Sequence, residues 1–253
     1  MTDSTKTPTA AALIVGNEVL SGRTQDSNLN AIAKKMFSLG IKLAEARVVA
    51  DIESEIVEAV NALRGRYTYV FTTGGIGPTH DDITAASVAK AFGMPLVESP
   101  EARARLVAYY TESKLNPARL LMAKIPAGAS LIDNSVSAAP GFRMDNVHVL
   151  AGVPDIMKAM LDVVATGLQK GPAIKVATIN CAVPESILAD ELAAIATNYP
   201  QLDIGSYPSF RVGQIGLTLV VRGTDLTAVR AATEAISTLV VKYDGQPVVE
   251  AAT

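Results

Sequence analysis

The chain has 253 residues, 49% of them apolar and 19% charged, with a formal net charge of -3. That is enough apolar sequence for one large domain or two unequal ones, and it excludes disorder as the overall state. The acidic balance and the 5% aromatic content without Trp argue against a nucleic-acid binder, and the single Cys181 excludes both an intramolecular disulfide and a cysteine zinc site.

His80 and His148 are too few for a histidine-rich metal centre. No apolar run approaches the roughly 20 residues of a membrane helix. Residues Met1–Thr9 are polar, lack a signal-peptide core, and read as a disordered tail on a cytoplasmic protein.

The first folded segment is the apolar run Ala11–Val15, typical of a buried parallel strand. A polar segment, Gly16–Ser27, leads to a helix over Asn28–Leu39 that Gly40 stops. A strand over Ile41–Ala50, a helix over Glu53–Arg64 and a strand over Tyr67–Thr73 follow. This alternation predicts βαβ units and a parallel sheet, with ligands expected beyond the carboxyl ends of the strands. Gly16, Asp51 and Gly74 all fall just after strand ends, so their loops are expected on one edge.

The strand ending at Thr73 runs directly into Gly74-Gly75-Ile76-Gly77-Pro78-Thr79-His80-Asp81-Asp82-Ile83-Thr84 and then into a helical stretch, Ala85–Phe92. Bare glycine amides ahead of a helix N-terminus suit a phosphate. The loop lacks both the Gly-Lys-Ser/Thr ending of a P-loop and the spacing of a dinucleotide fingerprint. Its adjacent carboxylates, Asp81 and Asp82, make sense beside a phosphate if a divalent cation such as Mg²⁺ bridges them. Asp51 lies 31 residues before Asp82, at the end of a different strand, so one cation can be shared by both. The alternative for both aspartates is helix capping, worth about 0.5–2 kcal/mol. Glu18 is a further candidate for ligating the cation, orienting water or touching the ligand. A bridge to a basic neighbour is its alternative. Arg23 and His80 are weighed for phosphate contact against surface roles, and Ser137 and Gly141 for wrapping the ligand against ordinary turn chemistry.

Residues 100–124 read as helical with a break at Asn116-Pro117. Strands are expected at Ser130–Ile132 and Val147–Leu150, separated by a loop that includes Ser137–Phe142, and a helix from Pro154 to about Val164. Thr166–Pro172 carries two glycines and a proline and marks a boundary between domains at 10–168 and 172–253. In the second, strands at 174–180, 202–207, 214–222 and 247–250 with helices at 185–197 and 226–241 give βαββαβ, the ferredoxin-like order.

The glycine loop resembles the signature of the molybdopterin-binding (MoaB/Mog-type) domain family. The double aspartate, together with Ser21–Asn28, Gly16–Leu20, Ala138–Phe142 and Gly152-Val153-Pro154, is similar to its CinA-like branch. The resemblance runs from about Ala11 to Leu161, and the second domain looks like the small domain that follows in CinA-like proteins. It implies a three-layer α/β fold that binds a pterin or a nucleotide pyrophosphate with a divalent cation, molybdopterin included. Two aspartates functional in the Mog branch match Asp51 and Asp82. CinA-like relatives, and the similar N-terminal domain of eukaryotic FAD synthase, hydrolyse dinucleotide pyrophosphates such as ADP-ribose or FAD.

The resemblance further implies a homo-oligomer, dimer or trimer. The chain ends before the amidohydrolase domain of the larger CinA proteins, and that activity is expected to be absent. Asn17 stands where relatives usually have Thr or Asp, Ile76 replaces the Thr of Mog proteins, and Ser137 replaces a Gly. Ile76 with Asp81 points away from adenylation. The expected site is therefore Asp51 and Asp82 as catalytic residues; Asp82, Asp81 and Asp51 as metal ligands; and Gly74, Gly75, Gly77, Thr84, Glu18, Ser137 and Gly141 as ligand contacts. Molybdopterin binding or adenylation, and a binding module without turnover, are the rival readings.

Overall fold

The computed structural model describes residues 7–110, 114–211 and 214–250, and the chain divides into two compact units at Gly171/Pro172. In the first, β1 (Thr9–Val15), β2 (Lys42–Val49), β3 (Tyr69–Thr73) and β8 (Val147–Leu150) run parallel. β7 (Gly141–Met144) and β6 (Ser130–Ile132) extend the sheet antiparallel, in the order β2-β1-β3-β8-β7-β6. β1 and β3 are near-continuous apolar runs because helices cover both faces. On one face Ile32 and Met36 of α2 (Asn28–Ser38) and Met157, Met160 and Leu161 of α7 (Pro154–Ala165) pack on Ala10, Ala12, Phe71 and Leu150. On the other, Ile56, Val60 and Leu63 of α3 (Glu53–Arg64) and Val88 of α4 (Thr84–Ala91) pack on Ala11, Leu13, Val70 and Val149. This is the three-layer, mostly parallel architecture expected from the alternating pattern.

Between α4 and β6 the chain builds an arm. A two-stranded antiparallel sheet, β4 (Leu96–Glu98) with β5 (Lys124–Pro126), is flanked by α5 (Pro100–Tyr109) and α6 (Pro117–Leu120). Ser99 caps α5 through Ala102 N and Asn116 caps α6 through Arg119 N, each helix carrying Pro in its first turn.

Several local expectations are corrected. The helical reading of 100–124 resolves into α5, α6, a single 3₁₀ turn at Leu121–Ala123 and the strand β5; residues 111–113 lie outside the described residues. The polar segment after β1 contains the one-turn α1 (Asn17–Leu20), and the loop ending at Phe142 becomes β7 at Gly141. These elements are three or four residues long, too short for periodicity to register. Thr9, expected in the tail, begins β1, and the carbonyl of buried Pro8 accepts from Lys42 N at 3.1 Å. The remainder of the expected tail, residues 1–6, lies outside the described residues.

The second unit has β9 (Lys175–Cys181), α8 (Glu185–Asn198), β10 (Asp203–Arg211), β11 (Gln214–Gly223), α9 (Leu226–Lys242) and β12 (Val248–Glu250). The antiparallel sheet runs β10-β11-β9-β12, the βαββαβ ferredoxin-like order. Its core joins Ala177, Ile179, Leu217, Leu219 and Val221 to Val229 and Ile236 of α9 and Leu188 of α8. Among the described residues no helix is long and apolar enough to cross a membrane.

Candidate functional site

β2 lies on one side of β1 and β3 on the other, so winding reverses there and the loops after β1 and β3 flank a crevice at the carboxyl edge. A cavity of about 70 Å³ occupies it, lined by Glu18, Gln25, Asn28, Thr73, Gly74 and Gly152 among others. Asn28, at the start of α2, is 5% exposed and donates from Nδ2 to Thr73 Oγ1 (2.7 Å) and to the Gly152 carbonyl (2.8 Å). Thr73 passes its own proton to the Ala151 carbonyl (3.1 Å), which fixes the amide orientation and leaves Asn28 Oδ1 without a partner.

Each expected glycine is required by a close approach within the protein. A Cβ on Gly74 (φ 103°) would sit 2.1 Å from the Val15 carbonyl oxygen, and one on Gly75 (φ 66°) 2.2 Å from Thr84 Oγ1. At Gly77 it would meet Asp82 Oδ2 at 2.6 Å. Thr84 is fully buried and fastens the loop: its hydroxyl donates to the Gly74 carbonyl and its amide to the Gly75 carbonyl, both at 2.9 Å. Its hydroxyl is thereby committed to the loop rather than to a ligand. The amides of Gly75, Ile76 and Gly77 donate to no carbonyl or side chain among the described residues. These three consecutive unpartnered amides lie in the loop ahead of α4, which begins at Thr84.

The aspartates do not cap helices. Ile52 and Ile83 occupy the cap positions of α3 and α4, without side-chain caps. Asp51 Oδ2 instead accepts from the Asn17 amide at 2.8 Å, which ties the loop after β2 to α1. Asp82 Oδ2 accepts from both the amide (2.8 Å) and the hydroxyl of Thr79. Asp81 is exposed, and its carboxyl is held below the ordinary carboxylate value by the Thr79 side chain, for whose single hydroxyl proton it competes with Asp82, and by its own backbone amide.

Asp82 lines a second cavity of about 160 Å³, on the far side of the glycine loop, bounded by Ile76, Leu96, Leu121, Ile125 and Phe142. Glu18 lines the crevice cavity, and Asp51 lines neither. Among the described residues no three Asp, Glu, His or Cys side chains gather to hold a metal ion. The set of Asp51, Asp81 and Asp82 expected as ligands is therefore not assembled, because two of them bend back onto neighbouring amides. What remains fits a hard cation that arrives with its ligand, since Mg²⁺ is commonly held by one or two carboxylates plus phosphate oxygens and water.

Ser137 belongs to a turn built on Asn134, whose Oδ1 accepts from the Val136 and Ser137 amides and whose Nδ2 donates to the Ala139 carbonyl, and Gly141 opens β7 beyond it. Gly141 is needed for packing, since a Cβ there would lie 2.4 Å from the Val149 carbonyl oxygen; its neighbours Pro140 and Phe142 face the Asp82 cavity. Arg23 and His80 are exposed. Sequence reasoning missed Asn28, Thr79 and Lys124. Only Asn28 carried a signal, as an amide at the head of a helix's buried stripe.

Residues 11–170 match the family model described as "Probable molybdopterin binding domain". The chain belongs to that family. Residues 174–244 match the one described as "FAD synthase, middle domain". The chain is 35% identical over 224 residues to a protein of Aeropyrum pernix, covering 84% of this chain and 83% of that one. The "Probable FAD synthase" of Caenorhabditis elegans is 31% identical over 229 residues, 80% of this chain but 44% of the nematode protein. Among solved structures, the protein CinA of Thermoplasma acidophilum superposes with a TM-score of 0.60 at 35% identity, covering 63% of this chain and 97% of that one. Within the family, this molybdopterin-binding-domain chain is related to the CinA proteins.

Proposed function

We propose that this CinA-related protein binds a nucleotide or pterin diphosphate at the glycine loop and hydrolyses a dinucleotide pyrophosphate of the ADP-ribose or FAD type. The observation that carries the reading is the run of unpartnered amides at Gly75, Ile76 and Gly77, with the Asp82 carboxylate beside Gly77. The amides hold phosphoryl oxygens by backbone donation, and the N-terminus of α4 adds to the field favouring negative charge. Carboxylates beside a bound phosphate repel it unless a cation intervenes. A divalent cation entering with the diphosphate would supply charge neutralisation there, and Asp82 would be its protein ligand, whereas Asp51, tied to the Asn17 amide and outside both cavities, would act by holding α1. Attack of water on one phosphorus breaks the anhydride P–O bond, so ADP-ribose yields AMP and ribose 5-phosphate. The match of the second unit to an FAD synthase domain supports a dinucleotide rather than a lone phosphate as ligand.

The family's own description favours a second reading, molybdopterin binding without hydrolysis. The deciding assay incubates the full chain with ADP-ribose, FAD, or molybdopterin plus ATP, with Mg²⁺ or EDTA. Metal-dependent AMP release from a dinucleotide, lost in Asp82→Ala, is the expected result. ATP consumption only with molybdopterin, or saturable binding with no product, overturns it.

A further inference from the structure

The strand register sets four side chains in one row on the α7 face of the first unit's sheet. Ser130 of β6 lies opposite Arg143 of β7, Arg143 opposite His148 of β8, and His148 beside Phe71 of β3. Phe71 is packed under the helices, whereas Ser130 and Arg143 are exposed. A cleft of about 390 Å³ opens there, lined by Ser130, Arg143 and His148 on the sheet and by residues at the C-terminal end of α7. That volume falls within the range of small-molecule pockets, about 300–1,000 Å³. The cleft belongs to the amino edge of the parallel strands. Tyr69, which starts β3, lines it, and lies roughly 16 Å along the strand from Gly74 at about 3.3 Å per residue.

The buried part of the lining is apolar, from Ile132, Val164 and Leu168, but two polar groups face it unused. Arg143 takes part in no ion pair among the described residues. His148 is 4% exposed, and neither ring nitrogen has a hydrogen-bond partner among the described residues; Nδ1 is sealed, whereas Nε2 is not. Burial keeps the imidazole neutral, so one nitrogen carries the proton. A sealed N–H without an acceptor is rarer than a sealed lone pair, which places the proton on Nε2, on the side of the cleft. A mere packing gap would be lined by apolar side chains, or by polar groups already bonded to one another. Here an unpaired guanidinium and an unused N–H stand side by side and lack an acceptor.

We propose that this cleft binds a small monocarboxylate with a branched or aromatic apolar body, its carboxylate accepting from the Arg143 guanidinium and the His148 Nε2–H and its body lying on Ile132, Val164 and Leu168. Asp145, exposed on the turn between β7 and β8, also borders the cleft, as does the negative end of the α7 dipole. Both repel a dianion more than a monoanion, so the site discriminates against phosphate. It is separate from the glycine loop, and its failure would leave the reading of function above standing.

His80 and His148 are the only histidines of the chain, and His80 is exposed, so ring-nitrogen NMR of the full chain reads His148 with His80 as internal control. The probes are phenylacetate, 4-methylpentanoate, 4-methylpentanamide and inorganic phosphate. The two carboxylates are expected to shift the His148 signals saturably, with Kd of about 1 mM or tighter, and to leave His80 unmoved. The amide binds at least about tenfold more weakly, the scale of one charge-assisted hydrogen bond. Calorimetry on Arg143→Gln and His148→Phe, with melting temperatures to verify folding, is expected to show losses of about tenfold or more for each carboxylate. Leucine in place of 4-methylpentanoate tells apart the two sources of such a carboxylate, amino acids and simple acids; binding of either supports the site. A proton found on Nδ1, no His148 shift at about 10 mM of either carboxylate, phosphate binding as tightly as they do, or full affinity in Arg143→Gln overturns the proposal.

Discussion

His148 is 4% exposed in the middle of the first unit's sheet, stacked on Phe71 at 5.2 Å between centroids and 19° between planes. Its Nδ1 has no hydrogen-bond partner, and burial, aided by the cross-strand Arg143, pushes its pKa from 6.5 down to about 4. A depressed pKa means that the unfolded chain takes up the proton first. The stability held by neutral His148 is complete above pH 6.5 and drains away as pH falls towards 4. At 1.36 kcal/mol for each tenfold change, the loss is about 2 kcal/mol at pH 5 and about 3 kcal/mol at pH 4. His148→Phe keeps an aromatic ring against Phe71 and removes both the titration and the orphaned nitrogen, whose burial costs about 1–3 kcal/mol. Urea unfolding of both proteins at pH 7.5 and pH 5, followed by circular dichroism, isolates the effect because carboxylate titration is common to the two. The variant is expected to match or exceed the parent at pH 7.5 and to lose about 2 kcal/mol less on acidification. Parallel losses would refute the assignment of acid sensitivity to this ring.

Gly75→Ala is expected to cost about 2–4 kcal/mol, combining a left-handed backbone penalty with displacement of the buried Thr84 hydroxyl from the Gly74 carbonyl, and thermal melting reads it. Asn28→Ala removes two donations, to Thr73 and Gly152, and is expected to destabilise by about 1–3 kcal/mol in the same measurement. Asp82→Asn retains the fold and lowers pyrophosphate hydrolysis on the order of 100-fold, the scale of losing one electrostatic contact to the transition state; unchanged turnover would remove Asp82 from the chemistry. Chelation by EDTA abolishes hydrolysis and added Mg²⁺ restores it, whereas binding of AMP persists.

The long elements were legible because their patterns are unambiguous. Ala11–Val15 and Tyr69–Thr73 are apolar without alternation, as strands covered on both faces must be, and Glu53–Arg64 carries its stripe at Ile56, Val60 and Leu63. The arm was not legible. β4 and β5 are three residues each, one exposed throughout, and only their pairing across Leu96–Pro126 makes them strands. The site divided similarly. The glycines and Asp82 announced themselves by spacing, but the reason for each glycine came from contacts remote in sequence, such as Val15 against Gly74. Asp51 and Asp82 looked like partners along the chain, yet their carboxylates are engaged by Asn17 and Thr79. Such backbone donors have no sequence signature. Lys124 reaches the Asp82 cavity only because β5 folds back beside α4.

The pairing of β3 with β8 joins Val70 to Val147, 77 positions apart, and the entire arm lies within that excursion. Closing so long a detour imposes its entropy before the central strands can reward it, which slows the folding of the first unit. During synthesis the glycine loop leaves the ribosome well before the strand that must lie beside its own, so the loop's native setting arrives only with the last third of the unit.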